Sequence, residues 1–417
     1  MNKIILLLLL NVTFLFSQEG KIKKIEFLGL KKTKSSFLKK IIETKEAASL
    51  DSLKLKRDVQ RLKRLPSVAH AYTTLKKETD SLYIVIFNIE ESTTILPELA
   101  FWTTTNNQFS YKLGVYEYNF LGRNITAGGF YQNNGYDTYA VNLIAPNLFS
   151  KHLGLALSHQ NWKSEEPLFF DNQTANYLYN NISTEILGLY QVNLHHKITF
   201  GFNYFTEKYN YLTGATSANV PLNLEVDKIL YKLLYTYQDL EYFFQYIDGF
   251  KSSLYLQYVQ SQNSFQDQFL VAWNDFFYYK RIGEKGNWAN RLRIGFASNN
   301  DSPFAPFALD NNVNLRGVGI LVDRGTASIV YNTEYRHTFY DKKWLTIQGN
   351  AFIDAGTWRQ PGGEINDFWE DENIRLFSGV GLRFINKKIY NATLRIDYGF
   401  SLKDNTKGLV FGIGQYF

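Results

Sequence analysis

From Pro97 onward, apolar and polar positions alternate with a period of two, which predicts β-strands with one apolar face. Leu153, Leu155 and Leu157 alternate with Gly154, Ala156 and Ser158. Ile198, Phe200, Phe202 and Tyr204 alternate with Thr199, Gly201 and Asn203. The same pattern recurs at Leu292–Phe296, at Ala392–Tyr398 and at Leu409, Phe411 and Ile413. Residues 20–91 follow another pattern. Lys21–Leu30 predicts a strand, broken at Gly29. Ser35–Ile42 predicts a helix with Phe37, Leu38, Ile41 and Ile42 on one face. Asp51–Leu65 predicts a second helix, with Leu55, Val59 and Leu62 at i, i+4 and i+7 and Pro66 as its stop. Val68–Lys77 and Leu82–Ile89 then predict two strands around the turn Glu78–Ser81.

Ahead of this lies a short apolar run, Ile4–Phe16, behind Lys3. Such a run predicts a secretory signal peptide cleaved near Ser17/Gln18. The expected division is 1–17 leader, 18–91 small α/β domain and 92–417 β region. Charge divides the same way. Residues 18–91 hold 17 basic and 10 acidic residues, whereas 92–417 hold 27 and 29. Export removes nucleic acid as a partner for the basic part.

Composition decides between a soluble sandwich and a membrane barrel. The chain has 33 Phe, 29 Tyr and 7 Trp, yet its mean hydropathy is −0.26. No apolar run reaches the ~18 residues of a spanning helix. Alternation over the whole of 92–417 gives too many apolar faces for one sandwich core, and the opposite faces carry Arg, Asp, Thr and Gly, as a wet lumen would. At ~10 residues per strand this region holds about sixteen antiparallel strands. An even count returns both ends to one side. Outer loops are expected near 162–180, 206–226, 261–290 and 358–374. Enzyme chemistry finds no carrier. There is no Cys, no metal spacing among the six His, no phosphate loop and no nucleophile elbow. No catalytic residue, cofactor or metal is expected.

The β-α-α-β-β order, with Ile25-Glu26-Phe27-Leu28-Gly29, the junction Leu62…Leu65-Pro66-Ser67-Val68 and the closing Leu82–Glu91, resembles a POTRA (polypeptide-transport-associated) domain. A second resemblance lies downstream. Asn314-Leu315-Arg316-Gly317-Val318-Gly319 sits in a loop of about 298–325, before a strand bearing Glu334 and Arg336 and the segment Phe352-Ile353-Asp354-Ala355-Gly356. Together these resemble the outer-membrane superfamily of Bam-type and Tam-type assembly factors and two-partner-secretion transporters. Its members carry an Arg-Gly-aromatic loop tip folded into the barrel and a Phe-x-Asp-x-Gly strand facing the lumen. Val318 stands where an aromatic is usual. The segments Gly114–Gly122, taken as the first strand, and Gly379–Phe384 are also similar.

The resemblance implies a lumen lock in which Arg316 pairs with Asp354 and Glu334, with Gly317 forming the tight tip. Leu315, Val318, Phe352 and Gly356 complete the motif. Leu409, Phe411, Gly412, Ile413, Gly414 and Phe417 form the terminal-strand signal and seam, from which Gln415 departs. Gly408, Gly412 and Gly414 either weaken that seam or permit curvature. The function implied is insertion or secretion of unfolded polypeptide clients at the outer membrane of a Gram-negative bacterium. The small domain would lie in the periplasm, with chaperones or lipoproteins as candidate partners. A passive porin with an accessory domain, or a surface adhesin, is the alternative from another class.

Overall fold

The computed structural model describes residues 20–103, 109–170, 173–261, 268–300, 305–309, 314–319 and 323–417. The predicted leader lies outside them. Residues 21–91 build a three-stranded sheet of β1 (Lys21–Leu28), β3 (Leu82–Glu91) and β2 (Val68–Thr79). β3 is central, parallel to β1 and antiparallel to β2. Helices α1 (Ser35–Ile41) and α2 (Ser52–Lys63) cover one face. Phe37, Leu38, Ile41, Leu55 and Leu62 pack there on Ile22, Ile25, Val85 and Phe87. α2 starts where it does because the Asp51 carboxylate accepts from the amides of Leu53 (2.8 Å) and Lys54 (3.1 Å), a cap worth about 1 kcal/mol. Buried Asp58 accepts from the amides of Glu43 (2.7 Å) and Thr44 (2.8 Å), tying α2 to the segment after α1.

The rest of the described chain forms one sixteen-stranded antiparallel sheet, curled into a barrel. Its first strands are short: β4 (Ile95–Thr103), β5 (Phe109–Phe120), β6 (Ile125–Asn133) and β7 (Asp137–Ala145). Then come four long ones: β8 (Leu153–Phe170), β9 (Gln173–Gln191), β10 (His196–Gly214) and β11 (Asn223–Phe243). β12 (Tyr246–Ser261), β13 (Phe269–Ile282) and β14 (Gly286–Ala297) follow. The small hairpin β15 (Phe307–Leu309) and β16 (Asp323–Gly325) stands apart from the barrel sheet. β17 (Ala327–Asp341), β18 (Leu345–Arg359), β19 (Ile374–Asn386), β20 (Thr393–Ser401) and β21 (Lys407–Ile413) complete the barrel.

Period-two alternation sorts the faces. On β17 and β18 the even positions point inward and are buried, including Asn332, Glu334, Arg336, Asn350, Phe352 and Asp354, while Tyr331, Tyr335 and Ile353 face outward. Outward positions elsewhere carry exposed apolar side chains, among them Phe200, Phe202, Leu233, Leu254, Phe296 and Leu382. Among the described residues, no helix is long and apolar enough to cross a membrane, which says nothing of these strands.

Three expectations need correction. The first barrel strand is Ile95–Thr103, so Gly114 falls on the second. Pro97 lies within that first strand, where an edge position tolerates a missing N–H. Residues 162–180 and 206–226 are not simple loops. Most of each continues as paired strand, because Leu168, Tyr177, Tyr209, Leu224 and Val226 pack together on the inner side. Residues 261–290 contain the whole of β13, whose inward Asp275 pairs with Arg291 and Arg293 of β14. Residues 360–373 do form a loop, with two short 3₁₀ turns.

Candidate functional site

The loop between β14 and β17 carries the Arg-Gly tip into the barrel. Its guanidinium is fully buried, so it needs counter-charge with good geometry. The inward faces of β17 and β18 supply it. Arg316 Nε and Nη2 donate to the two oxygens of Asp354 at 2.8 and 2.9 Å, a bidentate fork, and its backbone N–H donates to Asp354 at 3.0 Å. Nη1 donates to Glu334. Asn332, cross-strand from Asp354, donates to the same carboxylate at 2.9 Å and to the Asn314 carbonyl at 2.7 Å, fixing the loop beside the wall. The Phe352 ring lies under the guanidinium at 3.6 Å.

The sequence places Arg336 on one face with Glu334, but does not reveal the parts played by Arg383, Asp397 and Asn350. Arg336 Nε donates to Glu334, and Arg383 Nη1 donates to Asp397 at 2.8 Å. Asp397 also lies 3.8 Å from Arg316. Asn350 bridges Glu334 (3.4 Å) and Asp397 (3.3 Å). Arg395 and Asp397 sit on the polar face of an alternating segment, which was the available signal.

The remaining motif residues pack around this pair. Leu315 and Val318 are buried against Val330, Trp358 and Phe377. With valine at the tip, the aromatic surface comes from the wall. Gly317 has φ +100°, and a Cβ there would lie 2.7 Å from the backbone of Gly399. A Cβ on Gly399 would lie 2.2 Å from the Arg316 carbonyl oxygen. Gly399 pairs with Gly408 across β20 and β21, so the loop tip lies on bare backbone. Gly356 sits on β18 opposite Val330.

The seam residues divide into two groups. Leu409, Phe411 and Ile413 are exposed on the outer face. Gly412 faces inward beneath the Arg395 guanidinium, where a Cβ would meet Nε at 2.3 Å. The last strand stops at Ile413 and does not run on to Phe417. Gly414, at φ +86°, turns the chain inward, and Tyr416 is buried among arginines. Among the described residues no strand pairing joins β4 to β21, so the sheet's first and last strands each keep an unpaired edge.

The three-stranded unit meets the barrel at the end with the short turns. Lys34 N–H donates to the Gly122 carbonyl (2.9 Å), and buried Asn119 donates to the Thr33 hydroxyl (3.0 Å). Gly122 has φ +71°, and a Cβ on it would lie 2.2 Å from the Lys32 carbonyl oxygen. The Asn119-Phe120-Leu121-Gly122 turn is therefore a docking turn. Lys40 donates to the carbonyls of Asn147 (2.9 Å) and Leu148 (3.2 Å), and Arg64 donates to that of Leu194. His70 stacks on Phe244 at 5.6 Å. Thr93 pairs with the backbone of Lys388 and Tyr390. The docked loop is held from inside by Glu91, which accepts from the amides of Lys32 (2.8 Å) and Thr33 (2.9 Å). Burial alone would raise the Glu91 pKa. The Thr33 hydroxyl and the amides of residues 31–33 outweigh it and hold the carboxyl below its ordinary value.

Within the small sheet the two edges differ. Residues 47–50 cover β1: Ala47 N–H donates to the Ile22 carbonyl (2.7 Å) and Ile22 N–H to that of Ala48 (2.9 Å). At the other edge, β2 pairs with β3 alone among the described residues.

Comparison with known proteins follows this division. Residues 20–92 match the POTRA family model, described as "Surface antigen variable number repeat". No curated protein matches the chain. Among solved structures, the chain is similar to BamA from Haemophilus ducreyi lacking POTRA domains 1–3. The TM-score is 0.58 at 15% identity, covering 94% of this chain and 84% of that one. It is also similar to CdiB from Acinetobacter baumannii, with TM-score 0.62 and 13% identity over 95% and 74% of the two chains. CdiB from Escherichia coli gives TM-score 0.63 and 10% identity over 94% and 76%. The protein therefore joins a POTRA domain to a sixteen-stranded barrel with the fold of BamA and CdiB.

Proposed function

We propose that this protein handles polypeptide clients at the outer membrane of a Gram-negative bacterium, inserting them into the bilayer or passing them across it. The POTRA domain lies on the periplasmic side, and the outward apolar side chains face lipid. The observation that carries this reading is the unpaired seam between β4 and β21 in a barrel whose inner loop is latched. A passive porin gains nothing from a seam, since unpaired backbone in lipid costs several kcal/mol per group. A client strand can pair with such an edge, because main-chain hydrogen bonding is indifferent to side-chain sequence. The β2 edge of the POTRA sheet offers the same chemistry to an extended client before it reaches the barrel. Of the two client routes, the seam favours lateral delivery into the membrane. BamA and CdiB, whose fold this chain shares, support the reading at the level of architecture.

The test compares outer-membrane and secreted proteomes of cells with and without the protein. Loss of one or a few specific polypeptides is expected, restored by the wild-type chain but not by Asp354→Ala. Unchanged proteomes, together with a large stable conductance indifferent to Arg316→Ala, would favour the porin instead.

A further inference from the structure

Residues 414–417 enter the lumen in the manner of a bound peptide. The Gly414 N–H still donates to the Thr393 carbonyl at 2.8 Å, and the chain then turns inward. Each following residue meets arginine. Arg383 Nε donates to the Gln415 side chain at 3.3 Å. The Tyr416 ring lies between two guanidinium groups, 4.5 Å from Arg316 and 4.7 Å from Arg395. Arg336 donates to a main-chain oxygen of Phe417 at 3.1 Å and lies 5.7 Å from its ring. The Phe417 ring also packs against the cluster of Leu240, Tyr279 and Ala289.

The arginines offer more than this segment uses. Arg336 Nη1 and Arg395 Nε are buried without a hydrogen-bond partner among the described residues, and Arg383 Nη2 has only the Glu334 carboxylate, 3.6 Å away. Arg336 and Arg383 are fully buried and Arg395 is 8% exposed. Arg316, Arg336 and Arg383 pair with three carboxylates, those of Glu334, Asp354 and Asp397, while Arg395 forms no ion pair among the described residues. A buried donor left unpaired is costly, and so is a surplus cation. Carbonyl oxygens, aromatic faces and an acidic side chain would satisfy both.

We propose that this arginine clamp is a binding site for an extended polypeptide segment carrying adjacent aromatic residues, occupied at rest by Gln415-Tyr416-Phe417. That its natural occupant is a client rests on the function proposed above. The resident segment is an intramolecular competitor, present at high effective concentration. If it is docked in nine molecules of ten, an outside peptide binds about tenfold more weakly than to the vacated clamp.

The probe is a fluorescein-labelled decapeptide with the sequence of residues 408–417, with a control in which both aromatics are serine. Binding to the full chain in detergent micelles is read by fluorescence anisotropy. The double variant Tyr416→Ala/Phe417→Ala should bind the probe at least about tenfold more tightly than wild type, and not the control. Adding Arg395→Ala should remove that gain. Equal binding by wild type and double variant overturns the proposal. So does a gain that survives Arg395→Ala. A second measurement uses the otherwise cysteine-free chain. In Phe417→Cys, maleimide labelling should accelerate severalfold when the probe displaces the resident segment, and an unchanged rate overturns the proposal even if the other variants misfold. Binding in micelles needs no client. Failed binding beside an intact client phenotype sinks the clamp alone, and tight binding beside unchanged proteomes sinks the transport reading alone.

Discussion

Replacing Asp354 with alanine removes the acceptor of four hydrogen bonds: three from Arg316 and one from Asn332. The guanidinium is left fully buried with Glu334 as its close partner and Asp397 at 3.8 Å. Breaking one side of a buried pair costs ~3–5 kcal/mol. Glu334 retains part of the compensation, so the lower end, about 3 kcal/mol, is expected here. The cheapest escape is release of the loop into water rather than unfolding of the barrel. Three kcal/mol multiplies the released population by about 150. Limited trypsin digestion reads that population, because cleavage tracks the open fraction when reclosing is fast. Arg316 is inaccessible in the latched loop. Cleavage after Arg316 should therefore be about a hundredfold faster in Asp354→Ala than in wild type. Asp80→Ala, which removes an exposed partner of Lys77, should change nothing. Arg316→Leu/Asp354→Leu should hold the loop better than Asp354→Ala, since no unpaired charge remains; with no trypsin site at 316, it is read by hydrogen exchange of the Gly317 amide. Wild-type cleavage in Asp354→Ala would show that the ion pair does not hold the loop.

Gly399→Val places side-chain carbon against the Arg316 carbonyl, so it should release the loop as Asp354→Ala does, seen in the same digestion. Gly122→Val should undock the POTRA domain and leave the barrel folded, seen as increased trypsin cleavage after Lys32 and Lys34 with unchanged heat-modifiable migration. Glu91 has a folded pKa below its unfolded value, so its stabilisation is complete above about pH 4.5 and is lost as pH falls through the folded value. Hydrogen-exchange protection of the Lys32 and Thr33 amides should thus hold above about pH 4.5 and fall as the pH is lowered below it, and Glu91→Gln should remove that dependence. Amides of β4 and β21 should exchange faster than those of β17 and β18, since each has one unpaired edge. Equal protection would argue for a closed seam.

Strand count and the small α/β unit were legible because periodicity and length are local properties. Helices α1 and α2 fall within a residue or two of the segments read from Phe37, Leu38, Leu55 and Leu62. What stayed hidden depends on register. The polar faces of β18, β19 and β20 were visible, but nothing local says that Asn350 stands between Glu334 and Asp397. The resemblance places the first strand at Gly114–Gly122, one strand late, because Leu99-Ala100-Phe101-Trp102 of β4 is an unbroken apolar run and shows no alternation. The glycines of the last strands were read as loosening the seam or allowing curvature. In the fold Gly408 lies beneath the loop tip, Gly412 beneath Arg395, and Gly414 turns the chain. Close approach of another segment leaves no sequence signal besides the glycine itself.

Latch and seam are parts of one arrangement. β21 pairs over only seven residues, all on its β20 side. An edge strand so short, with glycine at 408 and 412, has little side-chain contact of its own to hold it. Gly317 rests on Gly399 and Gly408, and Arg316 contacts Tyr416 just beyond the strand. The loop tip thus braces the edge strand from inside, at the place where it lacks a neighbour. Buried charge makes this brace two-state: Arg316 is either fully paired or exposed to water, because a half-withdrawn guanidinium satisfies neither condition. Loosening of β21 should therefore accompany loop release in Asp354→Ala. In that variant the amides of residues 407–413 should lose protection before those of β20, while β17 and β18 keep theirs.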